Sequence, residues 1–290
     1  MTTSAIEEKL ISEKLPKLPR AFILRRLHSI LGIWLVVFLC EHFFVNSLCA
    51  IYAKDSGQGF IAMVNHIYKL PFLPVIEVVF LGIPFLIHMI WGTIYLLTGK
   101  LNSFKTDGSS PSLPQFKRNR AYSWQRITSW ILLIGVVAHV VQLRFVEYPT
   151  HLQIGDQTYY MVKVSGDPGL NKLAPKLDLK LFDVPPAGSH QTLKAGQLFA
   201  VAKSPGAAFF LVVRNMFKRP VIVVLYSIFV LAAGFHALNG AWTALITWGI
   251  TISTRSQKIA GIWTKSIMVL VLFLAMAAIW GTYWTTLIEK

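Results

Sequence analysis

The chain has 290 residues, of which 54% are hydrophobic and only 14% are charged, and its formal net charge is +15. A soluble domain carries about a quarter charged residues, so the composition argues against an ordinary soluble fold. The positive charge does not indicate nucleic-acid binding, because the Lys and Arg residues collect between long apolar runs. We expect a lipid bilayer as the surroundings and no nucleic acid as a partner.

Five apolar runs are long enough to cross a bilayer as helices, which takes about 20 residues each. They lie at about 27–48, 73–97, 124–146, 221–250 and 262–283. The alternating ten-residue strands of a membrane barrel are absent from the sequence. The predicted fold class is an all-α membrane protein, a bundle of five transmembrane helices with one small insert. Its parts are an N-terminal segment (1–20), spans one to three (21–146), the insert (147–218) and spans four and five (219–290).

The distribution of cations predicts the orientation, because short loops rich in Lys and Arg stay in the cytoplasm. Cations crowd the N-terminal segment, the second loop and the fourth loop, whereas the first loop has only Lys54 and Lys69. The segment before Arg20 is polar and contains no apolar core of a cleavable signal. We therefore expect a cytoplasmic N-terminus, and five spans then place the C-terminus and the insert outside.

The insert contains the patterns of a small β-rich cap. "QTYYMVKVSG" and "GQLFAVAKS" alternate in the manner of strands, while "DVPPAGS" and "KSPGA" are typical of turns. "FFLVVRNMFK" favours a helix in the membrane interface before Pro220 opens the fourth span. No arrangement of catalytic residues is found in the insert.

Five of the eight histidines lie in or at the end of a span, and the other three (His66, His151 and His190) are expected on the outer surface. An ionisable side chain inside a membrane indicates a functional site, although a single one could hydrogen-bond a neighbouring helix. One histidine on each of the first four spans favours function. The five are His28, His42, His88, His139 and His236.

Four of these histidines sort by depth into two pairs. His42 and His139 lie roughly 6–9 Å beyond the midpoints of outward-running spans, at 1.5 Å per residue. His88 and His236 lie at or slightly past the midpoints of inward-running spans. The sequence therefore predicts an outer pair and an inner pair.

Two imidazoles that face each other across a bundle suit the two axial positions of a haem iron. Glycines one helical turn from three of the histidines would open space for the porphyrin; the alternative is that they serve close helix packing. They are Gly92, Gly135 and Gly240. With both axial positions filled, electron transfer is favoured over oxygen chemistry. The pattern predicts two b haems.

Several stretches resemble the cytochrome b subunit that anchors bacterial succinate dehydrogenase or fumarate reductase, in the two-haem, five-helix type of Bacillus-like enzymes. They are "FILRRLHSILGIW", "EHFFVNSL", "FLIHMIWGTIY", "WQRIT" and "FHALNGAWTALITWGITISTRSQKIAG". The resemblance covers all five spans in order. It implies that the family's axial ligands fall on the four histidines in the pairing given by their depths.

The resemblance also implies partners and a location. A flavoprotein subunit and an iron–sulfur subunit would bind on the cytoplasmic side of the bacterial inner membrane. A membrane quinone, expected to be menaquinone, would be the substrate, and this chain would carry no succinate site. The implied acid of an outer quinone site falls on Glu77 or, second, Glu41; the alternative for either is a hydrogen-bonded structural acid. The insert is larger than in the family, which leaves the details of that outer site open.

Cations at the inner ends of the spans form a second expectation. Arg25, Arg26, His28 and Arg126 are expected to hold haem propionates or to bind the iron–sulfur subunit, together with Arg255 and Lys258; the alternative is that the cations only enforce topology. His28 lies fourteen residues before His42, so it faces the same interior about 21 Å deeper. We expect it near the edge of the inner haem or at the docking surface rather than on iron.

Two other functions remain open at this stage. A cytochrome b anchor of a hydrogenase or formate dehydrogenase shares the haem argument but not the "NGAWTALITWGIT" run. A cofactor-free carrier would show internal symmetry and charges at the membrane midplane, which this sequence lacks.

Overall fold

The protein is described from a computed structural model that covers residues 18–50, 55–99, 101–104, 112–184 and 192–288. Its helices are numbered α1 to α8 in chain order, and five of them are long and apolar enough to cross a bilayer. The predicted five-span membrane fold is thereby confirmed. The spans are α1 (Arg20–Ser47), α3 (Leu73–Thr98), α4 (Lys117–Val146), α7 (Pro220–Thr247) and α8 (Thr254–Ile288).

The spanning helices are longer than the apolar runs that predicted them. α1 begins at Arg20 rather than near residue 27, and α8 begins at Thr254 rather than near residue 262. Hydropathy detects only the part in lipid, whereas the helix continues through polar residues to a cap. At α8 that cap is Ser253, whose side chain accepts a hydrogen bond from the backbone N–H of Ser256. Pro220 opens α7, as predicted.

Three of the spans contain a turn of π-helix. These turns are Glu77–Gly82 in α3, Val141–Val146 in α4 and Ala277–Gly281 in α8. Trp34 of α1 donates a hydrogen bond of 2.5 Å from Nε1 to the backbone oxygen of Phe80, within the turn of α3. A π turn changes which side chains face the bundle, and such turns are frequent at functional sites.

The insert folds into a sheet flanked by two helices. Its elements are β1 (Thr150–Ile154), β2 (Gln157–Ser165), α5 (Pro168–Lys176), β3 (Lys180–Phe182), β4 (Gln197–Ala202) and α6 (Pro205–Phe217). The four strands are antiparallel in the order β1-β2-β4-β3. Both predicted strands are found, as β2 and β4. Most of "DVPPAGS" lies outside the described residues.

The prediction of an interface helix from "FFLVVRNMFK" is wrong. These residues belong to α6, which is buried along most of its length and packs against β2. Ten of its thirteen residues are buried by protein, whereas a helix lying in the interface exposes its apolar face to lipid. "KSPGA" is likewise not a turn. Ser204 caps α6 by accepting a hydrogen bond from the N–H of Ala207, and Pro205 takes the first helical position.

The first loop contains a helix that the sequence did not predict, α2 (Gln58–Tyr68). It packs against α6, and the side chain of Asn65 accepts a 2.8 Å hydrogen bond from the N–H of Gly206. Any side chain at Gly206 would collide with the carbonyl of Ile61. His66 is exposed on α2 rather than in a loop. We call α2 together with the insert the cap.

The cap and the bundle share one hydrophobic core. Side chains of the sheet, α5 and α6 lie in the same buried cluster as side chains of α1, α7 and α8. The cap is therefore built onto the end of the bundle where α1 and α4 finish, and residues 147–218 are not an independent unit. Members of this cluster include Val162, Leu170, Ala200 and Leu211 of the cap and Phe43, Val45, Val223 and Ala275 of the spans.

A buried ion cluster joins α5 to α6 within the cap. Arg214, which is 3% exposed, donates two hydrogen bonds of 2.9 and 3.0 Å to the carboxylate of Asp167. Lys218 also donates to this carboxylate, which in addition caps α5 through the N–H of Leu170. Burial alone would raise the pKa of Asp167, but the hydrogen bonds from Arg214 and Lys218 outweigh it and hold the pKa well below its usual range.

Replacing Asp167 by Asn should destabilise the cap by about 1–3 kcal/mol at neutral pH, because a buried guanidinium loses its carboxylate. The folded pKa is depressed, so this stabilisation is complete above the ordinary Asp pKa of about 4 and is lost as the pH falls through the folded value. The difference between wild type and Asp167→Asn should thus shrink at acidic pH. Thermal unfolding of the detergent-solubilised protein across pH measures it.

Asp178→Asn is the matched control, because Asp178 and its partner Lys203 are 68% and 50% exposed at their side chains. Exposed ion pairs add little stability, so this variant should unfold like the wild type. Equal destabilisation by the two variants would contradict the role given to Asp167.

Candidate functional site between the spanning helices

The two outer histidines lie close together near the cap. The ring centroids of His42 on α1 and His139 on α4 are 5.9 Å apart, with their planes at 89°. Two imidazoles on opposite sides of one metal ion need a separation of about 6 Å, since each metal–nitrogen bond is about 2 Å long and the ring radii add to it. Both rings are half-buried and face the interior of the bundle.

His139 has a partner on α7. Its Nδ1 lies 3.3 Å from the hydroxyl of Tyr226, and the two ring centroids are 5.9 Å apart. The ring of Phe229 packs against the same imidazole at 6.0 Å. An imidazole whose Nδ1 is engaged in this way presents Nε2 to a metal.

Two imidazoles stack at the inner level of the bundle. The rings of His28 and His88 stack with centroids 4.0 Å apart and planes 10° from parallel. Nδ1 of His88 lies 3.2 Å from the backbone oxygen of His28, so this ring too has Nε2 available. Sequence reasoning expected His28 near the inner pair, but not a stack on His88.

α4 holds His236 through a polar clasp that sequence reasoning missed. Gln125 donates a 3.0 Å hydrogen bond from Nε2 to the backbone oxygen of His236, and Asn239 donates a 2.7 Å bond to the Gln125 side-chain oxygen. The hydroxyl of Ser129 lies 3.4 Å from Nδ1 of His236. The available signal was spacing, because Gln125 and Ser129 are one helical turn apart within an apolar span.

The glycines beside the histidines behave differently from one another. A Cβ at Gly92 would lie 3.7 Å from His28, and one at Gly240 would lie 3.6 Å from Gln125, both ordinary contacts. At Gly135 a Cβ would collide with the ring of Phe229, so here the glycine makes room for an aromatic ring. Sequence reasoning did not single out Gly32 of α1. A Cβ at this residue would lie 3.0 Å from Cε1 of His88, so the glycine lets α1 approach the imidazole closely.

The two candidate acids of an outer quinone site have different surroundings. Glu77 forms an ion pair of 3.0 Å with Arg144, and their side chains are 40% and 45% exposed. Both residues lie in π turns at the cap end of their spans. The Arg144 guanidinium lies 4.6 Å from the ring centre of Tyr148. Glu41 is exposed on α1, and no polar partner is found for it within the described ranges.

The cations at the end of the bundle opposite the cap also differ in their contacts. Arg26 donates a hydrogen bond of 3.3 Å to the carbonyl of Thr247 at the end of α7. Arg126 donates a bond of 2.8 Å to the carbonyl of Tyr95, and its guanidinium also packs on Gly99. Both side chains therefore satisfy backbone carbonyls near helix ends. Arg25 is exposed.

Comparison with known proteins gives one similarity over nearly the whole chain. The chain resembles a membrane cytochrome subunit. It is 26% identical over 263 residues to the succinate dehydrogenase cytochrome b558 subunit of Bacillus subtilis. The matched region covers 90% of this chain and 97% of the relative. No family model matches the chain, and no solved structure matches it.

Proposed function

We propose that this chain is the haem-bearing membrane anchor of a succinate:quinone oxidoreductase, carrying electrons between flavin and iron–sulfur subunits and a membrane quinone. The observation that carries the proposal is the sorting of imidazoles into two levels of one bundle, with the His42 and His139 rings 5.9 Å apart at one level. The name of the Bacillus subtilis relative, a cytochrome b558 subunit of succinate dehydrogenase, supports the same function.

The donor set at each level fits a haem. Within the described ranges, no group of three or more His, Cys, Asp or Glu side chains converges in the way that a metal ion held by protein alone requires. A porphyrin supplies four ligands itself, so two imidazoles are sufficient. When bound, a b haem supplies reversible one-electron chemistry at its iron.

Each level then has an assigned pair. His42 and His139 would hold the outer haem, and His88 and His236 would hold the inner haem. Hydrogen bonds at Nδ1 orient three of the four rings and leave Nε2 for iron. The apolar helices keep water away from both sites. In the orientation inferred from the loop charges, the N-terminus is cytoplasmic and the inner pair lies nearer the soluble subunits.

The chemistry at the quinone needs protons as well as electrons, because a quinone takes up two of each to become a quinol. Glu77 is the acid best placed to exchange protons, since it lies in a polar cluster with Arg144 at the cap end. Its partial exposure leaves it accessible to a quinone dissolved in the bilayer, expected to be menaquinone.

Alanine variants of the five intramembrane histidines test the haem assignment. His42→Ala and His139→Ala should each remove the same one of two haems, because each takes away one of the two imidazoles that would hold it. His88→Ala and His236→Ala should remove the other haem, whereas His28→Ala should keep both. Haem content per chain and dithionite-reduced absorption spectra measure these outcomes, with His66→Ala on the cap surface as the control.

Loss of the same spectral component in His42→Ala and His88→Ala would contradict the pairing. Loss of a haem in His28→Ala would contradict the choice of ligands. A wild-type chain that binds no haem would overturn the proposed function itself.

Replacing Glu77 by Gln should slow succinate-dependent quinone reduction by about 100-fold or more, the range over which a positioned acid or base contributes. Reduction of the haems by succinate should persist, because that step needs no proton from Glu77. Glu41→Gln is the comparison, and it should reduce quinone like the wild type. A loss of quinone reduction confined to Glu41→Gln would contradict the proton-exchange role of Glu77.

Charge reversal at exposed inner cations tests the docking of the iron–sulfur subunit. The double variant Arg25→Glu, Arg255→Glu should release succinate dehydrogenase activity from membranes into the soluble fraction, while the haem content stays unchanged. Arg26 is unsuited to this test because it holds the end of α7. Arg219→Glu, exposed at the cap end of α7, is the matched control and should retain the activity on the membrane. Full retention in the double variant would contradict the docking role.

A further inference from the structure

Tyr226 of α7 stands between the outer histidines and the cap. On one side its hydroxyl lies 3.3 Å from Nδ1 of His139. On the other side the ring of Phe217, from the cap helix α6, meets it edge-on with centroids 5.3 Å apart and planes at 89°. Phe217 is only 5% exposed, so its ring is fixed by the shared core. A continuous line of side chains therefore runs from the cap to an outer histidine.

The direction of the hydrogen bond follows from the chemistry of a neutral imidazole. With Nε2 directed to a metal, the ring proton lies on Nδ1, so His139 donates and the Tyr226 oxygen accepts. An acceptor at Nδ1 fixes the rotation of the ring and makes the imidazole a more basic ligand. The other outer histidine differs, because His42 has ring contacts to Phe38 and Phe43 but no hydrogen bond to its ring nitrogens within the described ranges.

We propose that Tyr226 is the positioning residue of the outer haem site. Its hydroxyl sets the orientation and ligand strength of His139, and the cap holds Tyr226 in place through Phe217. The inference rests on the proposed function, since it concerns the outer of the two haems. It gives the insert a part in the electron-transfer site, because α6 ends at Phe217 shortly before α7 begins and this ring packs against the tyrosine.

Tyr226→Phe in the complete membrane complex is the decisive variant, because it keeps the ring and its contact with Phe217 and removes only the hydroxyl. Both haems should remain bound. The midpoint potential of the outer haem should shift upward, since a less basic imidazole stabilises oxidised iron less, and its low-spin electron paramagnetic resonance signal should move. The inner haem should keep its potential and its signal.

Two further variants complete the test. Tyr283→Phe removes a hydroxyl from another half-buried tyrosine, one that packs between Trp280 and Trp284, and should leave both haems unchanged. Phe217→Leu keeps the Tyr226 hydroxyl but loosens its support. It should therefore shift the midpoint potential of the outer haem upward by a smaller amount.

If the midpoint potential of the outer haem is unchanged in Tyr226→Phe, or shifts equally in Tyr283→Phe, the role of Tyr226 is overturned. If this potential shifts in Tyr226→Phe but not in Phe217→Leu, the supporting role of the cap is overturned. These results differ from failure of the proposed function, which would appear as a wild-type chain without haem.

Discussion

The packing of the bundle depends on polar contacts between neighbouring helices at three of its five intramembrane imidazoles. An unpaired polar group is costly where no water is available. The partners come from neighbouring helices: the carbonyl of His28 for His88, Ser129 for His236 and Tyr226 for His139. Each hydrogen bond therefore joins two spans through Nδ1 and leaves Nε2 of that ring available. The contacts that prepare a ligand are the same contacts that fix how the helices pack.

The cap extends this packing beyond the spanning helices. It shares a core with α1, α7 and α8, so it cannot move as a separate domain without opening the end of the bundle. The buried pair of Arg214 and Asp167 ties α6 to α5, and Asn65 ties α2 to the start of α6. Only Lys218 and Arg219 separate α6 from α7, the helix that carries both Tyr226 and His236.

The sequence predicts the parts of this structure that depend on one helix at a time. Five spans follow from hydropathy, and the depth of each histidine follows from counting residues along its helix. The sequence does not give the rotation of one helix against another, so the Tyr226, Gln125 and Ser129 partners were missed. The burial of α6 and the existence of α2 were missed for a related reason, because each helix is stabilised by packing on the other. Gly135 shows the same limit, since its position beside His139 was predicted but its contact with Phe229 was not.

Under the proposed function, the two haem sites have the same ligands and different surroundings. The inner site contains a third imidazole, a backbone carbonyl and the polar clasp of Gln125 and Asn239. The outer site has one hydroxyl and several aromatic rings, and it lies beneath the apolar core of the cap. Hydrogen bonding around the ligands and burial both tune the potential of a haem. Two chemically identical centres can thus be held at different potentials by a single chain, and the polar groups that distinguish them come mainly from the neighbouring helices.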